Sequence, residues 1–360
     1  MEGSKTILVA PLHWGLGHAT RCIPIIRALI TKGYDVCIAS DGAALNLLRK
    51  EFPKLSWLEL PSYSITYPKR PSQLKWKLLK SLPGIRKTMA SEKKMIDALV
   101  SEGKIDGIIS DNRFGIHSKR VPSVFITHQL NVLSGSTSFF SSKMHQKIIQ
   151  KFHECWVPDV DNDENLSGTL GHPKVHNLNI KYMGPVSRMK KAEIPIVYDV
   201  LALLSGPEPQ RTMLEEKILD ELTGKDCRVL LIQGIVEDEQ QRSIRDNIEI
   251  VNYMESEALE KAINESGLVL SRSGYTTIMD LAAMEKKAFF IPTPGQYEQE
   301  YLASRCTEKG WVPSCKQEDF TYEALEKVKV YQGFHGLRCE IDGSSLFSLF
   351  EGKRELGPHA

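Results

Sequence analysis

The chain has 360 residues, of which 41% are hydrophobic and 25% charged, and its 46 basic and 45 acidic side chains give a formal charge of +1. This composition is typical of a folded protein of about two domains and excludes a mainly disordered chain. The balanced charge excludes a global attraction to nucleic acid or membrane, so any such signal must be local. No secretion signal or membrane-spanning run is evident, which predicts a cytoplasmic protein. The seven cysteines form no CxxC pair, which favours reduced thiols over disulfides or zinc.

Short apolar runs alternate with longer stretches of helical period along the chain. Because these runs carry no polar alternation, they suit strands buried on both faces of parallel sheets. Five lie in each half, at 6–10, 35–39, 105–110, 123–127 and 153–157, and at 200–204, 228–232, 248–252, 268–271 and 288–292. The pattern predicts two α/β units. A stretch with glycine, proline and basic residues separates them, so the predicted parts are a first domain at 1–184, a linker at 185–195, a second domain at 196–333 and a tail at 334–360.

The first apolar run leads directly into the loop PLHWGLGHAT, residues 11–20. Its G-x-G-x-x-T pattern lacks the third glycine of a dinucleotide-binding turn, which disfavours a nicotinamide cofactor even though Asp41, after the second run, could bind a ribose. The loop does offer backbone N–H groups at a helix start, where negative charge is favoured. His18 is expected at the carboxyl edge of the sheet, where open α/β sheets bind ligands.

A carboxylate is predicted at the same edge, because Asp111 follows another buried strand. A histidine within hydrogen-bond reach of such a carboxylate is a general base whose tautomer and positive charge are stabilised. The alternative is that Asp111 caps a turn and that His18 caps backbone groups. The sequence leaves both interpretations open.

A third group of polar residues lies between 266 and 303. Ser271-Arg272-Ser273-Gly274 close a strand before a helix, and hydroxyls, amides and a helix start suit a phosphate. Asp280, further along that helix, could hold a ribose diol. The loop after the next strand carries amides and carboxylates that suit sugar hydroxyls, namely Gln296, Glu298, Gln299 and Glu300. The order of phosphate, ribose and sugar groups predicts a nucleotide-sugar site.

These motifs resemble those of the MurG-like and UDP-glycosyltransferase group of the GT-B fold, an α/β architecture in which two Rossmann-like domains face each other across a cleft. GLGHATR (15–21) resembles the N-terminal glycine loop with its histidine, and THQLN (127–131) resembles the acceptor loop of MurG. MGPVSR (183–188) is similar to the interdomain segment, and LLSGPEPQR (203–211) to the loop that opens the donor domain. The tail could then form a helix that returns to the first domain.

The resemblance implies roles for individual residues. In the second domain it implies that the backbone at Tyr253 and Met254 reads uracil and that Asp280 binds the ribose. The diphosphate would be held by Ser205, Gly206, Ser273 and Gly274, with Arg272 or Arg188 nearby. The sugar would contact Gln296, Gln299 and Glu300, the last of which replaces a second glutamine of the family. Acceptor binding would fall to Gly15, Gly17, His128, Gln129 and Asn131.

The implied reaction is an inverting transfer from a UDP-sugar to an acceptor hydroxyl. His18 would act as the base and Asp111 would stabilise its charge, with no metal and no cofactor beyond the UDP-sugar substrate. Two alternatives remain open. One is a non-hydrolysing nucleotide-sugar epimerase, and the other is a non-catalytic UDP-sugar-binding subunit.

A metal-dependent alternative is suggested by Asp159-Val160-Asp161, which mimics the DxD motif of the other main transferase fold. It would leave residues 271–300 unexplained, so the run 159–164 is interpreted as an exposed acidic loop. An EF-hand is excluded because Glu164 stands where that loop requires glycine.

One basic segment, residues 69–87, interleaves lysine and arginine with tryptophan and leucine, and no acid lies between Glu59 and Glu92. Such a segment suits an anionic membrane surface, or else a solvated helix whose leucines join a core. The first interpretation predicts a peripheral enzyme at the inner face of the membrane with a lipid-linked or cell-envelope acceptor.

Overall fold

The computed structural model describes residues 4–14, 16–63, 74–174, 177–235, 237, 239–334 and 343–352. The chain divides into two compact units. The first takes in most of the chain up to Val186 together with the segment from Glu340 onward, and the second runs from Ser187 to Cys339.

The first unit is a seven-stranded parallel sheet in the order β3-β2-β1-β4-β5-β6-β7. Its strands are β1 Thr6–Pro11, β2 Asp35–Ser40, β3 Ser56–Glu59, β4 Gly107–Asp111, β5 Ser123–Ile126, β6 Glu154–Val157 and β7 Ile180–Tyr182. Its helices are α1 Gly17–Thr31, α2 Gly42–Glu51, α3 Leu74–Ser101 and α4 Ser138–Ile149, with 3-10 turns at Gly135–Thr137 and Gly168–Leu170. The sheet is all parallel because helical crossovers join the strands.

The second unit is a six-stranded sheet in the order β10-β11-β9-β8-β12-β13. Its strands are β8 Tyr198–Leu203, β9 Val229–Ile232, β10 Arg242–Arg245, β11 Ile248–Val251, β12 Ser266–Ser271 and β13 Ala288–Phe290. Its helices are α5 Gln210–Leu222, α6 Ser256–Asn264, α7 Tyr275–Ala283 and α8 Tyr297–Glu308, with a 3-10 segment at Tyr322–Val330. All pairings are parallel except that of β10 with β11.

The core of each unit follows from its central strands, which bury side chains on both faces. In the first unit, Val9, Ile38 and Ile109 pack against the apolar side of α1. In the second unit, Ala202 and Leu231 lie in the equivalent position beneath α5. Burial on both faces explains why these strands read as continuous apolar runs.

The chain returns to the first unit at its C-terminal end, through the short helices α9 Gly343–Leu346 and α10 Ser348–Glu351. Phe347 and Phe350 are buried in the core of that unit, with both rings about 6.1 Å from the ring of Trp156. The Lys5 ammonium donates to the Phe350 carbonyl at 2.8 Å. The helices at the C-terminal end of the described chain therefore complete the hydrophobic core that its first strands form.

All ten apolar runs identified in the sequence form strands. The three strands that the sequence did not predict, β3, β7 and β10, lie at the edges of the two sheets. An edge strand is not covered on both faces and both sides, so it needs no continuous apolar run. β10 is exposed along its whole length, and its antiparallel pairing corrects the expectation of two purely parallel sheets.

Two sequence predictions fall wholly or largely outside the described residues. Gly15 lies there, as do residues 69–73 of the basic segment, and of residues 74–82 only the helical backbone is described. Among the described residues, no helix is both long enough and apolar enough to cross a membrane.

Candidate active site

The β1–α1 loop and the end of β4 meet because their strands are neighbours in register. Pro11, the last residue of β1, pairs with Asp111, the last residue of β4. The Leu12 N–H donates to the Asp111 carbonyl at 2.9 Å, which continues the pairing into the loop. α1 then begins at Gly17 and carries His18 in its first turn. Parallel pairing alone thus brings His18 and Asp111 to one edge of the sheet.

The His18 side chain contacts the Asp111 carboxylate directly. Its Nδ1 lies 2.8 Å from Asp111 Oδ1, and the aspartate is fully buried while the histidine is partly exposed. Burial alone would raise the pKa of Asp111, but the Arg21 guanidinium and the His18 ring beside it lower that pKa to about 2. The carboxylate is therefore ionised at neutral pH.

Arg21 completes this group and was not predicted from the sequence. Its Nε and Nη2 donate to the two oxygens of Asp111, and the side chain is buried. Nη2 also lies 2.8 Å from His18 Nδ1, and Nη1 lies 3.2 Å from His128 Nδ1. The signal that could have revealed it is the H-x-x-R spacing, which places His18 and Arg21 on one face of α1.

The predicted acceptor loop contributes one member to this cluster. His128 is buried against Arg21, whereas Asn131 points to a different neighbour and donates to the Thr169 carbonyl at 2.6 Å. The Gln129 N–H donates to Thr127 Oγ1 at 3.0 Å, which fixes the turn. Arg21 thus links His128 to His18 and Asp111, whereas the Asn131 side chain contacts a neighbouring loop at Thr169. Gly17 is the first residue of α1 and directly precedes His18.

A second histidine–aspartate pair, also missed in the sequence, lies on the other side of β1. His13 Nδ1 is 3.5 Å from Asp41 Oδ2, and Arg113 donates to the other Asp41 oxygen at 2.6 Å. The His13 ring lies over Gly42, where a Cβ would fall 2.2 Å from His13 Cε1. Burial alone would raise the pKa of Asp41, but hydrogen bonds from His13 and Arg113 lower it. The carboxylate weighed as a ribose ligand is thus engaged by side chains of its own unit.

Arg113 connects that second pair to two further buried side chains, Glu92 and Tyr63. Arg113 Nε donates to Glu92 at 2.7 Å, and the Tyr63 hydroxyl donates to the same carboxylate at 2.6 Å. Arg113 is fully buried and contacts the carboxylates of both Asp41 and Glu92. Such a closed network of charges fixes the ends of β2 and β4 next to the loop.

In the second unit, the turn after β12 is tightly held. Ser273 is buried and its hydroxyl donates to the Gln299 carbonyl at 2.7 Å, while Gly274 precedes the first residue of α7. Arg272 points inward rather than toward solvent, and it donates to the carbonyls of Gln210, Ile291 and Pro292 and to Gln317 Oε1. Burial lowers the pKa of Arg272 to about 10. Its guanidinium cross-links these loops inside the unit. It therefore does not join Ser273 as a group that could bind a phosphate at the surface.

The residues predicted to hold the sugar surround the start of α8. Gln296 immediately precedes that helix. Gln299 Oε1 accepts from the Thr293 N–H at 2.8 Å, and Glu300 Oε1 accepts from the Gly295 N–H at 2.9 Å. Both side chains therefore fold back on the loop 293–295. Since Ser273 bonds to the Gln299 backbone, the predicted phosphate and sugar groups are neighbours.

The remaining donor residues lie on separate loops. Ser205 and Gly206 are exposed after β8, and Gly206 has a φ of +101°, a conformation that favours glycine. The Tyr253 carbonyl accepts from Gln240 at 2.8 Å and its N–H donates to Asn252 at 2.9 Å. Met254 follows and is partly buried. These groups present backbone near the ends of β8 and β11.

Asp280 on α7 contacts the segment that opens the second unit. The Ser187 hydroxyl donates to Asp280 Oδ1 at 2.6 Å. Burial raises the pKa of Asp280 to about 6, although the nearby Arg188 charge and the Ser187 hydrogen bond oppose the shift. Arg188 itself donates to Ser256 at 2.7 Å. This carboxyl group therefore titrates close to neutral pH.

The acidic run 159–164 is only partly the exposed loop that the sequence predicts. Asp161 and the acids after it are exposed, but Asp159 is fully buried. Its carboxylate accepts from the N–H groups of Val160, Leu166 and Ser167 and from the Ser167 hydroxyl. Asp159 is a loop cap because its carboxylate satisfies buried donors. Across the described residues, no cluster of histidine, cysteine and acidic side chains could hold a metal ion.

The fold class is confirmed by solved structures. The glycosyltransferase SnogD from Streptomyces nogalater is similar with a TM-score of 0.59 at 12% identity, covering 97% of this chain and 93% of the other. Acinetobacter baumannii MurG is similar with a TM-score of 0.52 at 14% identity, covering 91% and 89%. The protein is therefore an α/β protein of the GT-B fold.

Sequence comparisons then give the family. The model of the glycosyltransferase family 28 C-terminal domain matches residues 210–332. An uncharacterized glycosyltransferase of Methanosarcina acetivorans is 24% identical over 82% of this chain and 80% of its own length. The UDP-N-acetylglucosamine--N-acetylmuramyl-(pentapeptide) pyrophosphoryl-undecaprenol N-acetylglucosamine transferase of Haemophilus ducreyi is 23% identical over 90% and 89%. These findings support a MurG-like/UDP-glycosyltransferase protein of the GT-B fold, and the chain is a glycosyltransferase.

Proposed function

We propose that the protein transfers a sugar from a UDP-sugar to an acceptor hydroxyl with inversion, and that His18 is the general base. The observation that carries this proposal is the 2.8 Å contact between His18 Nδ1 and a buried, ionised Asp111. A partly exposed imidazole oriented by a buried carboxylate can accept a proton and keep the resulting charge.

In the proposed step, His18 Nε2 removes the proton from the acceptor hydroxyl. The acceptor oxygen forms a bond to the anomeric carbon, and the bond from that carbon to the diphosphate oxygen breaks. UDP departs with the electron pair of that bond. His18 is then an imidazolium paired with Asp111. No metal is needed, because amide and hydroxyl donors stabilise the departing charge.

Arg21 and Asp111 both lie beside His18 Nδ1, so the tautomer of His18 depends on which of them this nitrogen bonds. An arginine can only donate, so His18 Nδ1 either donates to Asp111 or accepts from Arg21 Nη2, which are both 2.8 Å away. Only the first arrangement leaves Nε2 free to take a proton. By donating to both oxygens of Asp111, Arg21 keeps the carboxylate ionised and in place for that arrangement.

His18 is preferred over His13 as the base on the strength of the two contacts. The His18 pair is separated by 2.8 Å and the His13 pair by 3.5 Å. Asp41 also forms an ion pair with Arg113, and Arg113 forms a second ion pair with Glu92. We therefore assign His13 no part in the proton transfer.

The donor is proposed to bind the second unit through UDP. Ser205, Gly206 and Gly274 would present amides and a hydroxyl to the diphosphate, with Gly274 at the start of α7. Asp280 would hold the ribose, and the backbone at Tyr253 and Met254 the uracil. Gln296, Gln299 and Glu300 would contact the sugar. The name of the Haemophilus ducreyi relative makes UDP-N-acetylglucosamine the first donor to examine.

The acceptor is proposed to be lipid-linked, and the enzyme to work at the inner face of the membrane as a peripheral protein. The same relative acts, by its name, on a pyrophosphoryl-undecaprenol compound. In this chain, the buried His128 next to Arg21 would line the acceptor side of the site.

The proposal is tested by incubating the protein with UDP-N-acetylglucosamine, UDP-glucose and UDP-galactose, each with and without the lipid-linked acceptor named for that relative. Acceptor-dependent release of UDP supports transfer. Epimerised sugar without UDP release would point to an epimerase instead. Tight UDP binding without any turnover of these donors would point to a binding subunit.

A further inference from the structure

The chain between β9 and β10 folds over the carboxyl end of β11. The Gln233 N–H donates to the Val251 carbonyl at 2.9 Å, and the Ile235 N–H donates to the Asn252 carbonyl at 2.8 Å. Further along, the Gln241 carbonyl accepts from the Asn252 N–H at 3.2 Å. The described residues of this connection therefore lie against the end of β11, where the uracil is proposed to bind.

A single buried amide holds this connection in place. Asn252 is 4% exposed, and its Oδ1 accepts from the N–H groups of Gln241 and Tyr253 at 2.8 and 2.9 Å. Its Nδ2 donates to Glu237 Oε2 and to the Glu239 carbonyl, both at 3.0 Å. An amide that uses both its oxygen and its nitrogen in this way restricts all the groups around it. The connection is thus fixed without a ligand.

Gln240 reaches from this connection to the residue after Asn252. Its side chain is exposed, and its Nε2 donates to the Tyr253 carbonyl at 2.8 Å. A carbonyl can only accept a hydrogen bond, so the amide nitrogen and not the amide oxygen has to face it. The contact therefore fixes the orientation of the carboxamide. Gln240 Oε1 forms no hydrogen bond to another described residue, and it is left as an acceptor.

We propose that Gln240 selects the base of the donor, with Oε1 accepting from the N3–H of uracil. This inference rests on the proposed function, in which the neighbouring backbone at Tyr253 and Met254 contacts that base. Cytosine has a bare ring nitrogen at the same position, so it would place an acceptor against Oε1. Gln240 could turn its Nε2 to cytosine only by giving up the Tyr253 carbonyl. A site that pairs with a substrate N–H rejects the analogue that lacks it.

Two simpler roles for Gln240 are less well supported by its contacts. The connection does not need this side chain to keep its shape, because Asn252 already bonds to Glu239 and Gln241, the residues on either side of Gln240. Gln240 also need not compete with uracil for the Tyr253 carbonyl, because a carbonyl oxygen has two lone pairs and can accept from both. Base selection uses the one group of Gln240 that the protein leaves unbonded.

The test is calorimetry of UDP and CDP binding to the full chain. The wild type should bind UDP at least about fivefold more tightly than CDP, because the cytosine nitrogen would leave Oε1 unpaired. Gln240→Ala should bind UDP about two- to tenfold more weakly, as expected for one hydrogen bond, and CDP no more weakly than the wild type does. Unchanged UDP affinity in this variant overturns the proposal. So does a tighter affinity, which would make Gln240 a competitor of the base, or an equal loss for both nucleotides, which would make its role structural.

Two further variants test the orientation of the carboxamide. Gln241→Ala is the matched control, because Gln241 Nε2 donates to Glu237 Oε2 at 3.1 Å and not to the Tyr253 carbonyl. It should keep the wild-type ratio of UDP to CDP affinity. Gln240→Glu retains the length and an acceptor oxygen but has no N–H for Tyr253, so its preference for UDP should fall as in Gln240→Ala. A wild-type ratio in Gln240→Glu, or a lowered ratio in Gln241→Ala, contradicts the proposal.

Turnover separates this inference from the proposed function. If Gln240→Ala keeps the wild-type preference for UDP while the wild type transfers sugar from a UDP-sugar, the assignment of Gln240 fails alone. If the preference depends on Gln240 as expected but no UDP-sugar is turned over with the acceptor, the transfer proposal fails alone. If the wild type binds neither nucleotide, both fail.

Discussion

Arg21 is the residue on which the geometry of the proposed base depends, because it holds Asp111 by both oxygens and reaches His18 and His128. Sequence reasoning could place His18 and Asp111 at one sheet edge, since both follow the ends of buried strands. It could not supply their separation or the arginine between them. Those depend on side-chain packing, which strand pattern does not encode.

Arg21→Met should destabilise the fold by about 3 to 5 kcal/mol, because it leaves the buried Asp111 charge without its main partner. The matched control is Arg27→Met on the same helix. Arg27 is exposed and lies 3.4 Å from Glu51, so its loss should cost less than about 1 kcal/mol. Urea unfolding of both variants measures the difference, and equal small losses would contradict the buried ion pair.

Asp280 should make nucleoside binding depend on pH. Its pKa is raised to about 6, so the carboxylate forms as pH increases through that value and can then accept from ribose hydroxyls. Uridine affinity should rise about tenfold across this range, as expected for one charge-assisted hydrogen bond of about 1.5 kcal/mol.

Uridine is the ligand of choice here because it has no phosphate that titrates. Calorimetry at several pH values gives the curve, and in Asp280→Asn the curve should be flat. A pH-dependent affinity that persists in that variant would assign the effect to another group.

At the scale of elements, the sequence predicted all the inner strands and missed three of the four edge strands; the fourth, β13, is buried along its length and was predicted. β10, with the sequence RSIR, is exposed throughout and has no apolar pattern to reveal it. The same limit applies to α4, whose exposed phenylalanines resemble a core stripe until the structure shows which side faces solvent. In both examples, the exposure of the side chains depends on where the element lies in the fold rather than on its local sequence.

The packing of α10 against β4 makes Gly107 an element-scale test. A Cβ at Gly107 would lie 2.6 Å from Phe350 Cδ1 and 2.7 Å from Ile7 Cδ1. Gly107→Ala should therefore destabilise the protein by about 1 to 3 kcal/mol through overpacking. In a Phe350→Ala background the same change should cost less, because one clash is removed. Additive losses in thermal unfolding would contradict the contact.

For the whole molecule, the resemblance of a few motifs led to the correct fold and to the kind of transferase that the comparisons support, because the predicted donor motifs follow one another in a fixed order along the second half. It did not reveal how individual side chains are used. Arg272 and Asp159 both have the residue type of a ligand, yet each is buried and satisfies groups of its own loop. Whether a polar residue faces a site or the interior is a property of the packed fold.

Acid stability of the molecule should depend on His145. Burial lowers its pKa from 6.5 to about 4, with a further contribution from the neighbouring His128. The unfolded chain therefore binds this proton more readily than the folded one, and stability is lost as pH falls from above 6.5 toward 4. At pH 5 the loss is about 2 kcal/mol by linkage.

His145→Gln should show a smaller loss of unfolding free energy between pH 7 and pH 5 than the wild type does. Urea unfolding at both pH values makes the comparison. Parallel losses in the wild type and His145→Gln would show that another group controls acid stability.

The most direct test of the central claim is the rate of UDP release by His18→Ala in the presence of donor and acceptor, measured beside its affinity for UDP. Loss of the general base should lower the rate at least about a hundredfold. UDP affinity should be unchanged, because the proposed donor residues lie in the second unit. His13→Ala, which alters the other histidine–aspartate pair, should keep the rate within about tenfold of the wild type. Full activity in His18→Ala would contradict the account.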